Sequence, residues 1–167
     1  EFATSFWAAA LLKDRVGSTA AISTVAIVAL GTGMGIGRWY GGLVLKKLSL
    51  DTQLLTIIAL QFVGFLGFWL SHNMAISLFC LLVVGLGISM QFALSSIRLI
   101  GLSDGRPDLA IGRASLAAGV AIAGAPFLLG LLGDSFGISR AYIMVFVLIG
   151  IAFVIVKVIP SHIKETT

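Results

Sequence analysis

Acidic side chains are scarce in this chain: there are seven Asp and Glu among 167 residues, and Asp14, Asp51, Asp104, Asp108 and Asp134 all fall near the ends of apolar runs. An ionisable group deep in a span is the usual mark of a proton relay, so no relay is expected within this stretch. Charged residues of both signs make up 11% of the chain, against about 25% in soluble domains, and no water-facing polar shell can be built from them. Cys80 is the single cysteine, which excludes an intrachain disulfide and a thiolate metal cluster. His72 and His162 stand alone in a turn and a tail, too isolated for a metal site. There is no P-loop, no zinc-protease motif and no pair of intramembrane aspartates, and Gly31-x-Gly33-x-Gly35-x-Gly37 lacks the dinucleotide-binding spacing. No enzyme, catalytic residue, metal or cofactor is therefore expected. The net charge of +4 does not point to nucleic acid, because the basic residues sit where apolar segments end and anchor helices at a bilayer surface.

What is abundant is uncharged apolar sequence: 59% of residues are hydrophobic and the mean hydropathy is +1.11. Crossing a hydrocarbon core of roughly 30 Å takes about 20 apolar residues in a helix. The gaps between charges give 11 residues from Phe2 to Leu12, 22 from Val16 to Gly37, 46 from Thr52 to Ile97, 20 from Ala114 to Gly133 and 16 from Ala141 to Val156. Ser71-His72-Asn73 divides the longest gap with a polar turn, so it holds two crossings. The chain reads as an all-α integral membrane protein, a six-helix bundle with a truncated first helix, in one transmembrane domain over 1–167. Spans are expected at about 2–12 (partial), 18–45, 51–70, 74–99, 109–133 and 140–160. The absence of an initiator Met at Glu1 suggests a fragment or a processed piece.

Gly33, Gly37 and Gly41 share one face of the second helix and predict close approach of a neighbouring helix backbone. Trp39 and Tyr40 follow at expected headgroup depth, beside Arg38, Lys46 and Lys47. If the first segment enters from the cytoplasm, eight Lys and Arg lie on that side and Lys13, Arg15 and Arg140 on the other, which favours a cytoplasmic C-terminus in a plasma or bacterial inner membrane. Residues 42–50 and 130–138 align without gaps at an offset of 88, each after a glycine-rich helix and before a strongly apolar one, on opposite faces of the bilayer. Three helices repeated in inverted orientation, a 3+3 arrangement, produce that relation.

These residues resemble the C-terminal six-helix half of a major facilitator superfamily transporter. Gly130-x-x-x-Asp134-x-x-Gly137 is similar to the family's loop signature G-x-x-x-D-[RK]-x-G, with Ser135 in place of the basic residue. Gly124-Ala125-Pro126 followed by Gly130 is similar to the family's helix 11, and Gly37-Arg38 leading into Gly41-Gly42 to the end of its helix 8. In the loop after that helix Lys46 stands where the signature has an acid, and Ser49 where it has its second glycine. The resemblance implies secondary active transport of a small solute by alternating access, with an N-terminal six-helix half of the same protein as partner. It also implies that the first, second, fourth and fifth helices flank a central cavity, with the third and sixth peripheral. A non-transporting structural or self-associating half-size membrane protein is the alternative, since glycine seams serve oligomers equally well.

Polar groups inside spans are costly and therefore informative. Gly87, Gln91, Ser95 and Arg98 recur along one face of the fourth helix, and the Gln91 amide offers donors and an acceptor either to a substrate or to another helix. Arg98 reads as a snorkelling end residue. Gln61 is expected to bond a neighbour. On the fifth helix, Gly112, Ser115, Gly119, Ala123, Pro126 and Gly130 form a small-residue stripe that reads as a packing seam, and Pro126 permits a gate-like kink. The substrate-facing candidates are Gln91, Ser95, Thr32, Ser115 and Trp7, with Thr4, Ser5 and Thr24 behind them. Gly37, Arg38, Pro126, Gly130, Asp134 and Gly137 are assigned to gating and loop motifs, with Asp134 anchoring the loop between the last two helices. The absence of buried charge in this half favours a neutral or modestly polar solute.

Overall fold

Eight helical segments form six rods in the computed structural model, which describes residues 2–17 and 20–159. They are α1 (Phe2–Val16), α2 (Ala20–Leu45), α3 (Leu50–Leu70), α4 (Met74–Ile88), α5 (Gln91–Gly101), α6 (Pro107–Phe136), α7 (Ile138–Ala141) and α8 (Ile143–Val158). The side chain of Ser5, and all of His162 and Lys164, lie outside the described residues. Among the described residues, four stretches are long and apolar enough to cross a membrane: Leu50–Leu70, the α4–α5 rod Met74–Gly101, Pro107–Phe136 and the α7–α8 rod Ile138–Val158. Among the described residues no strand occurs. The chain is an all-helical membrane protein. The 26 residues of α2, at about 1.5 Å each, also match a bilayer core in length.

Local chemistry sets the boundaries. Ser49 caps α3 by accepting from the Thr52 amide, and Asn73 caps α4 by accepting from the amides of Ala75 and Ile76. Ser71-His72-Asn73 is the expected turn between them. Pro107 opens α6 at a position where its missing N–H costs nothing. Gly137, at φ 83°, closes α6 and turns the chain into α7. α1 extends past the expected end at 12 to Val16, because Lys13 and Arg15 in its last turn suit the negative end of the helix dipole. The fourth span departs most from expectation. It breaks at Ser89–Met90, where the Ser89 hydroxyl donates to the Leu86 carbonyl at 2.7 Å and competes with the regular ladder.

α4 sits between α2 and α3, and glycine makes both contacts possible. A Cβ on Gly33 would strike the Leu82 carbonyl, and one on Gly85 would strike the Leu30 carbonyl and lie 2.9 Å from the Met34 amide nitrogen. Gly37 and Gly41 continue that seam against Ser89 and Met90, as the four-residue spacing predicts. On the other side of α4, Gly87 lies against the backbone of Gln61. An aromatic cluster then joins α3 to α8. Phe65 stacks on Tyr142 at 5.5 Å and meets Phe146 edge-on at 4.8 Å, and Trp69 meets Phe146 at 5.7 Å. Arg15 lies over the Trp69 ring, 5.2 Å from its centroid, and ties the end of α1 to the end of α3.

α6 is the least covered rod, with 6% of its most apolar window buried. It packs on α1, α5 and α7, whereas the main partner of α8 is α3. A cleft is left between α6 and the α3–α5–α8 side. The small-residue stripe of α6 is a packing seam only at its C-terminal end, where a Cβ on Gly130 would lie 3.1 Å from the Trp7 ring and one on Gly133 would meet Ile138. Gly112, Gly119 and Gly124 face open space.

Candidate functional site

The cleft has two adjoining parts of about 560 and 420 Å³, and Ile58, Gln91, Phe92, Ala118 and Ala152 line both. α6 contributes alanines (Ala114, Ala118, Ala121, Ala125), α8 contributes aliphatics such as Val145 and Ile149, and polar side chains come from elsewhere. The larger part holds Thr4, Arg38, Gln61 and Gln91; the smaller holds Gln91, Ser95, Ser96 and Arg98. The third and sixth rods therefore line this cleft, where the resemblance implies peripheral positions for them. Among the described residues, the first and second rods supply Thr4 and Arg38.

Gln91 is the first residue of α5, directly after the break, and its amide nitrogen donates to the side-chain carbonyl of Gln61. Gln61 is 5% exposed and is brought within reach because Gly87 lets α3 and α4 touch backbone to backbone. The neighbour expected for Gln61 is thus Gln91, and the interhelical bond considered for Gln91 is present. One bond leaves both amides with capacity to spare: each amide has two N–H donors and a carbonyl acceptor.

Arg98 holds Asp51 through its Nε at 2.8 Å, with both side chains largely buried, and its Nη2 has no partner among the described residues. It clamps the start of α3 onto α5 and does not snorkel as a free end residue. Arg38 differs. It lies seven residues inside the C-terminal end of α2, about 10 Å along the axis, and its Nε donates to the Ser89 carbonyl at 3.3 Å. No carboxylate lies within ion-pair distance of it among the described residues. Its place is on the cleft wall beside the break, within α2 and not in a loop, and the residue is exposed.

The other candidates are scattered. Ser95 lines the cleft. Thr24, Thr32 and Ser115 are exposed and do not line either part of it. Trp7 donates its indole N–H to the Pro126 carbonyl at 3.1 Å and packs on Gly130, which commits it to joining α1 and α6. Asp134 is exposed, and no described residue bonds its carboxylate; the corner after α6 is made by Gly137, whose N–H reaches the Gly133 carbonyl at 2.9 Å. Asp134→Ala is accordingly expected to change thermal stability by less than about 0.5 kcal/mol, measured by thermal unfolding in detergent. A larger loss would restore the anchoring role assigned from the motif.

Spacing along the fourth span put Gly87, Gln91, Ser95 and Arg98 on one face, and the structure keeps them together across the break. Asp51 was missed as a partner, and Arg38 as a cleft residue. A signal for the glutamine pair was available: apart from Gln53 at its very start, Gln61 and Gln91 are the glutamines of the uncharged run from Thr52 to Ile97, and each needs a partner there. No family model, curated protein or solved structure matches this chain.

Proposed function

We propose that the chain is the C-terminal half of a secondary transporter of the major facilitator type, moving a small solute across a cell membrane by alternating access, with its C-terminus in the cytoplasm. The observation that carries this reading is the cleft. In an apolar bundle, Arg38, Gln61 and Gln91 gather on one groove at an interruption of a spanning helix. Broken spanning helices with polar groups at the break are the construction that transporters use for solute sites. Six rods among the described residues is the number that an inverted 3+3 repeat needs. The uncovered faces of α2 and α6, where Gly31, Gly35, Gly112, Gly119 and Gly124 meet nothing within 4 Å, are the surfaces against which an N-terminal half would rock.

The test is uptake by the complete protein in proteoliposomes, screened with labelled small solutes. Gln91→Leu is expected to abolish uptake with membrane insertion intact. That change also strands the buried Gln61 amide, at a cost of about 1–3 kcal/mol. The double variant Gln61→Leu/Gln91→Leu removes the stranded group and is expected to regain stability without regaining uptake. Recovery of both would reduce the pair to a structural tie, and uptake kinetics unchanged in Gln91→Leu would remove the residue from the site.

A further inference from the structure

We infer that the ligand of this cleft is a small organic carboxylate with an apolar body and one further polar group, held by Arg38 and the Gln61–Gln91 pair. The inference rests on the transporter reading for its biology but on the cleft alone for its chemistry. It replaces the neutral solute expected from the scarcity of buried charge in the sequence.

Arg38 is the deciding group. A guanidinium always carries its charge and presents five N–H donors, of which one is committed here, from Nε to the Ser89 carbonyl. The bidentate edge of the fork is the geometry that a carboxylate matches. Arg38 is exposed on the cleft wall and no described carboxylate pairs with it, so its charge is open to an incoming anion. Arg98, the other arginine in the cleft wall, supplies the contrast: its charge is already met by Asp51. A bound anion would do for Arg38 what Asp51 does for Arg98.

The remaining walls define the rest of the ligand. Once Gln91 has donated to Gln61, the pair still offers N–H donors and a carbonyl acceptor, which suits a hydroxyl, keto or second carboxyl group. The hydroxyl of Thr4 is fully buried, has no partner among the described residues and lines the same part of the cleft. The Ala118, Ala121 and Ile149 walls take an apolar body. A volume of about 560 Å³ admits a molecule of the size of lactate, succinate or benzoate.

The complete protein in phosphatidylcholine nanodiscs is titrated with lactate, succinate and benzoate, each against its uncharged amide, with thermal unfolding as readout. At least one acid is expected to raise the melting temperature while its amide does not. Arg38→Gln is expected to melt like the parent without ligand and to bind that acid at least tenfold more weakly. Should Arg38→Gln fail to fold, Arg38→Lys keeps the charge but loses the two-pronged geometry, and the same weakening is expected. Equal stabilisation by acid and amide, unmoved by Arg38→Gln, overturns the inference and leaves a cleft for neutral solutes standing. Stabilisation only by added phosphatidylglycerol, lost in Arg38→Gln, assigns the arginine to a lipid headgroup and also overturns it, as does no response to any of the six compounds. The transporter reading fails separately: an acid that binds through Arg38 but is not accumulated by proteoliposomes keeps the anion site and removes transport.

Discussion

Gly85→Leu is expected to abolish accumulation of folded protein, with a loss exceeding about 4 kcal/mol. The added Cβ alone would enter the Leu30 carbonyl and approach the Met34 amide nitrogen and the Gly33 Cα at 2.9 and 3.0 Å. All three are backbone atoms, so no rotamer change relieves the collision. α2 would have to leave α4, and with it the seam through Gly37 and Gly41. In lipid no hydrophobic gain holds two helices together, and close backbone packing is the main attraction that remains. Gly35→Ala is the matched control. Gly35 lies on the same helix as Gly33 and meets nothing within 4 Å, so the methyl is expected to be neutral or to stabilise by up to about 1 kcal/mol. Gel filtration of fluorescently tagged variants reads both. Parent-like elution of Gly85→Leu would mean that the α2–α4 contact is looser than described.

Asp51→Leu is expected to cost about 3 kcal/mol. Removing one partner from a largely buried ion pair leaves the other charge uncompensated, and the Arg98 Nη2 already has no partner among the described residues. The side chains keep 10% and 19% exposure at the end of the span, which holds the cost to the lower part of the range for fully buried pairs. α3 would also lose the one acid in its first turn. The double variant Asp51→Leu/Arg98→Leu is expected to recover most of the loss, because two apolar groups need no pairing. Thermal unfolding of the four proteins gives the coupling energy. If the double variant is no more stable than Asp51→Leu, the pair is not the clamp between α3 and α5.

Periodicity and charge spacing carried far in this chain because a bilayer rewards them directly. The uncharged runs located the rods, the 33-37-41 glycines named the tight face of α2, and Ser71-His72-Asn73 marked a turn that uses Asn73 as a cap. Two kinds of feature were not legible. The break at Ser89–Met90 arises from a hydroxyl competing with the helix ladder, with no proline to announce it. Pairings between distant positions depend on how rods rotate about their axes. Asp51 with Arg98 and Gln61 with Gln91 are set by the angle at which α3 and α4 meet through Gly64 and Gly87, and one helix's own pattern does not contain the neighbour's angle. Arg38 was misplaced for a related reason. Its neighbours Trp39 and Tyr40 look like an interfacial belt, whereas the Arg38 side chain turns to the cleft wall and donates to the Ser89 carbonyl of the neighbouring rod.

The rod made of α4 and α5 has unlike halves. Its first half is gripped on both sides at Gly64, Gly85 and Gly87, where main chain meets main chain and leaves no slack. Its second half has no internal glycine and touches α3 and α6 through flexible side chains. A beam clamped over half its length and cushioned over the rest bends at the edge of the clamp. That edge is Ser89–Met90, and beyond it α5 is held to α3 by two side-chain ties, Gln91 to Gln61 and Arg98 to Asp51, so any tilt of α5 at the edge has to stretch both.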